Sequence, residues 1–486
     1  MQAFVGRARQ LRDLDQELVR ARRGEGRLVA VRGRRQVGKS RLVSEFVERY
    51  DGPSLFFEAH GYTETRELER FREKLSASTL PSAALAGGGV AFSDWEAALL
   101  AAASNASRET PSVIVIDEFP ELCERGKNDD GTIKFSPQEG SVRAAWRTLE
   151  RLPVVVILVG SDLSMMESIA VYGAPLYQRP TREMLVPPLS PLEAARLSGR
   201  SGAEAIDAYL VTGGFPRLVG SFRDDSLEDF LVAVLSDADS DLVRIGRRMV
   251  EGDLPSGQGA RSVLSVVGAG ERTLSGISNG TGFAAKNLTV PRGPLTALTA
   301  RRIVASALPL STEPSKGRRY WVDDTYLRFW LRFIEPASSE IERGLGHLIA
   351  SRIAAAFRDY SGSAVEPLVR TGIERLSIAG DETFDGARAV GSYWTRSNQV
   401  QVDLVGAERD TPPVDRVAFV GSIKWREAGA FTASDASALQ RLVDQVPGAG
   451  AGTRWVAVSR MGFARRIAAP VRRVEPDELL AAFPAD

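Results

Sequence analysis

Apolar runs alternate with amphipathic stretches in the first part of the chain, which is the pattern of a parallel sheet flanked by helices. The runs that predict strands lie at residues 27–32, 54–58, 113–116, 153–160 and 182–186. Between them, "SRLVSEFVERY" and "VRAAWRTLERL" carry apolar residues at helical spacing. The polar stretch "RGKNDDGTIKFSPQEGS" predicts an exposed excursion, which could also be a functional loop. We therefore predict an α/β core over residues 1–190.

The pattern changes beyond residue 190. Residues 191–254 are mostly of helical period, interrupted by "TGGFPR". After the turn-rich "EGDLPSGQG", three short helical segments precede two apolar strands around a tip rich in Pro, Gly and Ser. This order predicts a winged helix-turn-helix over residues 255–325, with the third helix beginning near Ala284. A final α/β segment is predicted over residues 326–486.

Composition narrows the class of protein. The 486 residues are 43% hydrophobic and 26% charged, which is typical of a globular protein of several domains. A formal net charge of zero means that nucleic-acid binding would need a local basic face. No apolar run approaches the roughly 18 residues of a membrane helix, and the first residues do not resemble a signal peptide, so we expect a cytoplasmic protein. A single cysteine, Cys123, and two histidines, His60 and His347, exclude an intramolecular disulfide and a zinc site of His and Cys.

The segment "GRRQVGKS" has the spacing G-x-x-x-x-G-K-S between an apolar strand and an amphipathic helix, which predicts a P-loop. Its glycines allow backbone N–H groups to surround phosphates, Lys39 reaches the β and γ oxygens, and the Ser40 hydroxyl binds Mg²⁺. The predicted nucleotide-binding residues are Gly33, Arg34, Arg35, Gln36, Val37, Gly38, Lys39, Ser40 and Arg41.

Two further strand ends carry candidate catalytic groups. In "VIVIDEF" we predict Asp117 as a metal-binding carboxylate and Glu118 as the group that polarises the attacking water. "VVVILVGSD" ends on Ser161, either a polar sensor of the γ-phosphate or a hydroxyl that begins a loop. Arg179 and Arg182 in "YQRPTRE" are candidate arginine fingers, or residues of a solvated face.

With "FVGR" at residues 4–7, "IDEFPEL", "LVGSDLSMM", "PLYQRPTREMLVPPL" and "GGFPR" following in order, the chain resembles the archaeal-type P-loop ATPase family, which is AAA-like and STAND-like and is found in bacteria and archaea. The resemblance implies ATP rather than GTP as the nucleotide, with Mg²⁺. It also implies a helical lid that contains Gly213, Gly214 and Pro216, with Arg217 as a nucleotide sensor.

The segment "YWVDDTYLRFWLRFIEP" resembles the junction through which such ATPases carry a domain of restriction-endonuclease-like fold. The resemblance implies a metal site formed by Glu366, Asp403, a glutamate and Lys424, but the glutamate position holds Ser422. Gln401 adds no charge, and Glu427 lies three residues past Lys424, on the opposite strand face. Because Mg²⁺ favours anionic oxygen ligands, we expect a nuclease-like fold with weak or no cleavage. Lys424 could equally be a strand-end residue with no role.

We therefore expect an α/β protein with a P-loop ATPase core (1–190), a helical lid (191–254), a winged helix (255–325) and a restriction-endonuclease-like domain (326–486). Its expected function is an Mg²⁺-dependent ATPase that acts as a switch for DNA or a protein partner. The alternatives are an ATP-regulated DNA-binding regulator and an ATPase-coupled nuclease. Arginine fingers would imply a homo-oligomer. DNA phosphate contacts would come from Arg301, Arg302, Lys316, Arg318 and Arg319, whereas the predicted recognition segment has only Lys286 and Arg292 as basic residues.

Overall fold

The computed structural model of the chain describes residues 4–89, 91–123, 126–127, 133–161, 166, 173–222, 226–252, 258–315, 317–467 and 471–484. The chain divides into two compact units. The first unit comprises residues 6–188, and the second comprises residues 189–484 together with residues 4 and 5. None of the described helices has the length and apolar character needed to span a bilayer.

A parallel five-stranded sheet forms the centre of the first unit. The strands of this unit are β1 (Arg27–Arg32), β2 (Ser54–Glu58), β3 (Ser112–Asp117), β4 (Gly126–Lys127), β5 (Ile133–Lys134), β6 (Val154–Gly160) and β7 (Arg182–Leu185). The sheet order is β2-β3-β6-β1-β7, so β6 lies between the P-loop strand β1 and the strand β3 that ends in Asp117. Every residue of β3 and β6 is buried, because both sheet faces are covered.

The helices of the first unit pack on this sheet. They are Ala8–Ala21, Lys39–Arg49, Glu64–Ser76, Ala83–Gly87, Trp95–Ala103 and Pro137–Leu149, with a 3₁₀ helix at Phe119–Leu122. Phe57, Phe71 and Trp95 form an aromatic cluster in the core, with the Phe71 and Trp95 ring centroids 5.4 Å apart. The polar excursion is shorter than predicted: β4 and β5 pair as an antiparallel ribbon, and Ser136 begins the next helix through a capping box with Glu139.

The second unit begins with helices. These are Pro191–Ser198, Gly202–Thr212, Pro216–Ser221, Leu227–Leu235 and Asp241–Gly252. The interrupting "TGGFPR" is a tight connection in which Gly213 and Gly214 have φ values of 57° and 77°. A Cβ on Gly213 would lie 2.5 Å from Cβ of Tyr326, and one on Gly214 would lie 2.2 Å from the Leu189 carbonyl oxygen. Both positions therefore require glycine for conformation and for close packing.

A small module of helices and strands follows. Its helices are Gln258–Gly268, Leu274–Thr281, Ala285–Thr289 and Pro294–Ala300, and its strands are β8 (Arg272–Thr273), β9 (Val304–Ala307) and β10 (Arg319–Val322). The strands form an antiparallel sheet in the order β8-β10-β9. The single helix predicted from about Ala284 is wrong: it is divided after Thr289, because Pro291 cannot continue a helix and Pro294 begins a new one.

A second, mixed sheet occupies the C-terminal part of the second unit. Its first strands are β11 (Ala389–Trp394), β12 (Gln401–Ala407) and β13 (Val417–Lys424). They follow the α-helices Thr325–Phe329, Ser338–Glu342, Gly346–Ala364 and Glu366–Ile378, a π-helix at Trp330–Ile334 and a 3₁₀ helix at Glu382–Phe384. Then follow a helix at Ala433–Val443, β14 (Arg454–Ser459), β15 (Val471–Val474) and a helix at Pro476–Ala481. Strands β11 to β13 pair antiparallel, and β13 to β15 pair parallel.

The predicted fold class is confirmed, with a parallel P-loop-type sheet and a separate mixed sheet nearer the C-terminus. The predicted strands of the first unit agree with the observed ones within one residue at each end. The division of residues 191–486 into lid, winged helix and nuclease-like domain stays a prediction, since all three segments lie in one compact unit.

Candidate functional site

The P-loop joins β1 to helix Lys39–Arg49 at the carboxyl edge of the parallel sheet. Gln36 and Gly38 adopt left-handed backbone conformations, with φ values of 65° and 93°. Alternation of right- and left-handed residues turns successive N–H groups towards one side, which makes a concave anion site. Gly33 has a further role, because a Cβ there would lie 2.4 Å from the Val186 carbonyl oxygen.

Lys39 is almost completely buried, and its Nζ donates a 2.9 Å hydrogen bond to the carbonyl oxygen of Arg34 in the same loop. Arg7, from the "FVGR" segment, is also buried and donates from Nη2 to the Val37 carbonyl oxygen at 3.0 Å. Two buried cations thus support the loop from inside. The role of Arg7 was missed by the sequence analysis, in which this segment served only as a family marker.

The other predicted P-loop residues differ in their surroundings. Arg35 and Ser40 are exposed, whereas Arg34, Gln36 and Gly38 are partly buried and Val37 is fully buried. The Arg41 guanidinium pairs with Glu45 at 2.9 Å and with Glu48 at 3.1 Å on the surface of its own helix. The Arg41 guanidinium is therefore engaged in ion pairs on the surface of its own helix.

Asp117 ends β3 and is 3% exposed. Its carboxylate accepts hydrogen bonds from the Ser40 side chain and from the backbone N–H of Glu118, the latter at 3.0 Å. Burial raises the pKa of Asp117, and these two hydrogen bonds oppose that rise. The structure therefore brings together the two residues that were predicted as metal ligands.

Glu118 and Ser161 are also brought together, across neighbouring strands. Glu118 has a left-handed φ of 49° that turns the chain away from β3. Ser161 follows β6, is buried, and donates from Oγ to Oε2 of Glu118 at 2.8 Å. The sequence predicted a phosphate sensor at Ser161, but the contact with the Glu118 carboxylate was not foreseen.

The two candidate arginine fingers differ. The Arg182 guanidinium binds Glu17 at 2.8 Å and Asp13 at 3.1 Å, and the Glu17 side chain is fully buried. Burial acts to raise the pKa of Glu17, but hydrogen bonds from Arg182 and Arg27 lower it below its usual value. The Arg182 guanidinium thus neutralises a buried carboxylate, and its role as an arginine finger stays a prediction.

Arg179 lies in an exposed turn before β7. No residue that the structure describes hydrogen bonds or pairs with its guanidinium. Arg217 belongs to the second unit, where its side chain is 62% exposed and its Nε lies 3.4 Å from Oδ2 of Asp241. Their predicted roles towards the nucleotide stay predictions.

In the C-terminal sheet, Asp403 of β12 accepts hydrogen bonds at Oδ2 from Ser422 Oγ at 3.2 Å and from Ile423 N at 2.9 Å. Glu366 begins a helix beside them, and its carboxylate pairs with Arg370 one turn later. Arg370 also donates from Nε to the Asp403 carbonyl oxygen at 3.1 Å. The guanidinium of Arg370 therefore links the two acidic residues of the predicted nuclease-like site.

Burial raises the pKa of Glu366 to about 7, with Arg370 opposing the rise and Asp403 and Glu271 adding to it. In the described part of the chain, no three His, Cys, Asp or Glu side chains cluster as a metal site. Lys424 ends β13 partly buried. Glu427 does not join the group, because its carboxylate pairs with Arg358 on the surface at 2.8 Å.

A partly buried polar cluster connects helix Gly202–Thr212 with the C-terminal sheet. Oδ1 of Asp207 accepts a 2.8 Å hydrogen bond from Trp425 Nε1, and Oδ2 accepts from Arg460 Nη2 at 2.8 Å. Burial raises the pKa of Asp207, while the Trp425 and Arg460 contacts oppose the rise. Trp425, next to Lys424, thus has a structural partner that no local sequence signal indicated.

The basic residues predicted to contact DNA are divided between surface and interior. Those that are exposed are Lys286, Arg292, Arg301, Arg302 and Arg318. The prediction that Arg319 contacts DNA phosphate is wrong. Its side chain is buried and stacks on Trp394, and its guanidinium pairs with Glu271 and donates to Asn398, so it is not free for phosphate. Lys316 lies outside the described residues.

Comparison with known proteins decides the class. The sequence model of a family described as "AAA ATPase domain" matches residues 3–130. Residues 3–130 are therefore similar to an AAA ATPase domain. A second family model, described as "Archaea bacterial proteins of unknown function", matches residues 330–438. The predicted resemblance to archaeal-type P-loop ATPases and the predicted enzyme class, an ATPase, are therefore confirmed.

The chain is 24% identical over 429 residues to an uncharacterized protein of Methanocaldococcus jannaschii, covering 87% of this chain and 88% of that protein. It is similar to a Walker-type ATPase of Pyrococcus abyssi, with 19% identity, a TM-score of 0.42 and coverage of 68% of this chain and 96% of the other. It is also similar to the ORC2 protein of Aeropyrum pernix, with 14% identity, a TM-score of 0.42 and coverage of 73% and 98%.

Proposed function

We propose that the protein is an Mg²⁺-dependent ATPase whose nucleotide state acts as a switch for a DNA or protein partner. One observation carries the proposal: Ser40, Asp117, Glu118 and Ser161 lie at or just after the carboxyl ends of three neighbouring parallel strands and are linked by hydrogen bonds, with Lys39 next to Ser40 in the P-loop. The carboxyl edge of a parallel sheet is where such folds bind ligands.

The residues present fit a magnesium ion. Ser40 and Asp117 are hydrogen-bonded to one another and supply a hydroxyl and a carboxylate oxygen, the hard donors that Mg²⁺ selects. These two side chains would hold the ion, with water completing its shell. When bound, Mg²⁺ would neutralise charge on the phosphate oxygens.

The chain's own groups would perform the remaining steps. The amides of Gly33–Ser40 bind phosphate oxygens. The Lys39 ammonium group leaves the Arg34 carbonyl oxygen and donates to these phosphate oxygens, which brings a buried positive charge to the anion. Glu118 accepts a proton from the attacking water, and the Ser161 hydroxyl fixes which way its carboxylate points.

The test is ATP turnover by the full chain with Mg²⁺ and with a chelator. We expect turnover to require the metal and to fall at least about 100-fold in Lys39→Ala, because one buried donor to phosphate is lost. Lys74→Ala, at an exposed helix position, is the matched control and should retain full turnover. Turnover that persists in Lys39→Ala or in the chelator would refute the proposal.

DNA is the first partner to test, because five of the seven candidate basic residues of residues 258–322 are exposed: Lys286, Arg292, Arg301, Arg302 and Arg318. Adding duplex DNA to the turnover assay separates the two partner classes: stimulation indicates DNA, and unchanged turnover indicates a protein. DNA binding through these side chains should weaken as salt rises, and Arg301→Ala with Arg302→Ala should reduce the salt slope by about 2.

The ATPase-coupled nuclease is the less favoured alternative. Arg370 already brings a cation to Glu366 and to the Asp403 backbone, and Ser422 replaces a carboxylate. We propose that this part of the chain keeps a nuclease-like arrangement of strands without a working metal site.

A further inference from the structure

Strand β2 lies at the edge of the parallel sheet, beside β3, and its last residue is Glu58. In the register of these two strands, Glu58 is the partner of Asp117. Partners on adjacent parallel strands lie about 4.8 Å apart and point to the same side of the sheet. The side chains of Glu58 and Asp117 therefore leave the sheet next to one another.

The face of the sheet that carries Glu58 and Asp117 is the face of the P-loop helix. The residues that precede them, Phe57 and Ile116, belong to the hydrophobic core on the opposite face, as the alternation of side chains along a strand requires. Asp117 accepts a hydrogen bond from the side chain of Ser40, at the start of that helix. Glu58 thus lies beside the pair of residues that would hold the magnesium ion.

The negative charge of Glu58 is not neutralised by the described part of the chain. Its side chain is exposed, and no described residue donates a hydrogen bond to its carboxylate or forms an ion pair with it. Burial raises the pKa of Asp117, and the negative charges of Glu118 and Glu58 add to the rise. Carboxylates placed in this way repel each other, and a divalent cation beside Asp117 would attract both.

We propose that Glu58 is a positioning residue for the magnesium ion, and that its carboxylate accepts hydrogen bonds from water bound to the ion while Ser40 and Asp117 hold the ion directly. The inference rests on the proposed ATPase function. Mg²⁺ loses its water reluctantly and binds proteins through one or two carboxylates, so a further carboxylate acts through the retained water. Glu118 has a different task, because Ser161 holds its carboxylate at the end of β6.

The test is calorimetric titration of the full chain with a non-hydrolysable ATP analogue, in excess Mg²⁺ and in a chelator. The ratio of the two dissociation constants measures how strongly the metal supports nucleotide binding, without any turnover. Glu58→Gln should reduce this ratio at least about 10-fold from its wild-type value, the size of effect typical of carboxylates that act on a metal through its bound groups. Its affinity in the chelator should stay within about twofold of wild type, because the phosphate contacts are unchanged. Glu58→Asp keeps the charge and should retain more of the ratio than Glu58→Gln.

Glu69→Gln is the matched control, since Glu69 is an exposed glutamate of helix Glu64–Ser76, and it should keep the wild-type ratio. Thermal unfolding without metal is the folding control: Glu58→Gln removes a repulsion and should melt no lower than wild type. A wild-type ratio in Glu58→Gln, or a lowered melting temperature, would overturn the role of Glu58 and leave the proposed ATPase in place. Equal affinity of the wild type with and without Mg²⁺ would instead refute the metal dependence of the proposed function, and this inference with it.

Discussion

The hydroxyl of Ser161 donates a 2.8 Å hydrogen bond to Oε2 of Glu118, joining the ends of β6 and β3. Because a general base acts only when its carboxylate is correctly oriented, Ser161→Ala should lower kcat about 10-fold while the KM for ATP changes less than about twofold. Ser161→Thr keeps a hydroxyl and should retain most turnover. Glu118→Gln should lose at least about 100-fold, since the base itself is removed. Unchanged kcat in Ser161→Ala would mean that the contact has no catalytic role.

Substitution of Arg179 and of Arg182 should have different effects on stability and on ATP turnover. Arg182→Ala removes a partner from the fully buried Glu17 and should destabilise the first unit by about 2 to 4 kcal/mol in chemical unfolding. Its turnover per folded molecule should stay near wild type. Arg179→Ala should leave stability unchanged, because its guanidinium is exposed, and should lower turnover only where subunits associate. Turnover of Arg179→Ala that matches wild type at every protein concentration would remove it as an arginine finger.

Gly213 and Gly199 form a matched pair for testing the tight connection at residues 212–217. Both have left-handed φ values, 57° and 74°, but a Cβ on Gly213 would meet Tyr326 at 2.5 Å, whereas nothing lies within 4 Å of one on Gly199. Gly199→Ala should cost about 1 to 2 kcal/mol of unfolding free energy from backbone conformation alone. Gly213→Ala should cost about 1 to 3 kcal/mol more, from the steric conflict. Equal losses in the two variants would show that the Tyr326 contact yields without cost.

Stability of the second unit should depend on pH through Glu366. Its pKa rises from an ordinary value of 4.5 to about 7 on folding, so the folded chain holds this proton more tightly than the unfolded chain. Wild-type stability should therefore decline between about pH 4.5 and pH 7, by on the order of 3 kcal/mol from this group. Arg370, Asp403 and Glu271 are the charged groups that act on it.

Glu366→Gln lacks this titration, so its stability relative to wild type should increase from pH 4.5 to pH 8 in denaturant unfolding. Glu427→Gln, which changes a surface ion pair, is the control and should show no such trend. A constant difference between Glu366→Gln and wild type across this range would contradict the assignment.

The C-terminal sheet should not cleave nucleic acid. With Mg²⁺ or Mn²⁺, plasmid DNA incubated with wild type and with Asp403→Ala should show the same background nicking, because Arg370 pairs with the Glu366 carboxylate and no three metal-binding side chains cluster among the described residues. Metal-dependent cleavage by wild type that disappears in Asp403→Ala would establish a nuclease.

The residues of the candidate nucleotide site could be picked out from the sequence because phosphate binding requires a fixed spacing within short segments. Gly33, Lys39 and Ser40 fall in one loop, and Asp117 ends a buried strand, so local pattern was sufficient. The Ser161–Glu118 contact spans 43 positions and depends on β6 lying next to β3, an order that chain pattern does not reveal.

The burial of individual side chains was the other property that the sequence pattern did not reveal. Arg319 looked like one of several basic residues at a strand, yet its guanidinium is enclosed by Trp394, Glu271 and Asn398. Arg370 was not singled out from the sequence, yet it pairs with Glu366, four positions away, and also reaches across to β12. In both cases the decisive neighbour comes from a distant part of the chain.

The contacts of Asp207 have a consequence for how the chain folds during synthesis. Its partners Trp425 and Arg460 follow it by 218 and 253 positions. At about 5 to 20 residues per second, the ribosome needs roughly 13 to 50 s to make the second of these distances. Residues 6–188 can meanwhile complete their own sheet, so the first unit can fold before Asp207 of helix Gly202–Thr212 has its partners. Until then the Asp207 side chain is hydrated. The second unit can complete its fold only once residue 460 has left the ribosome.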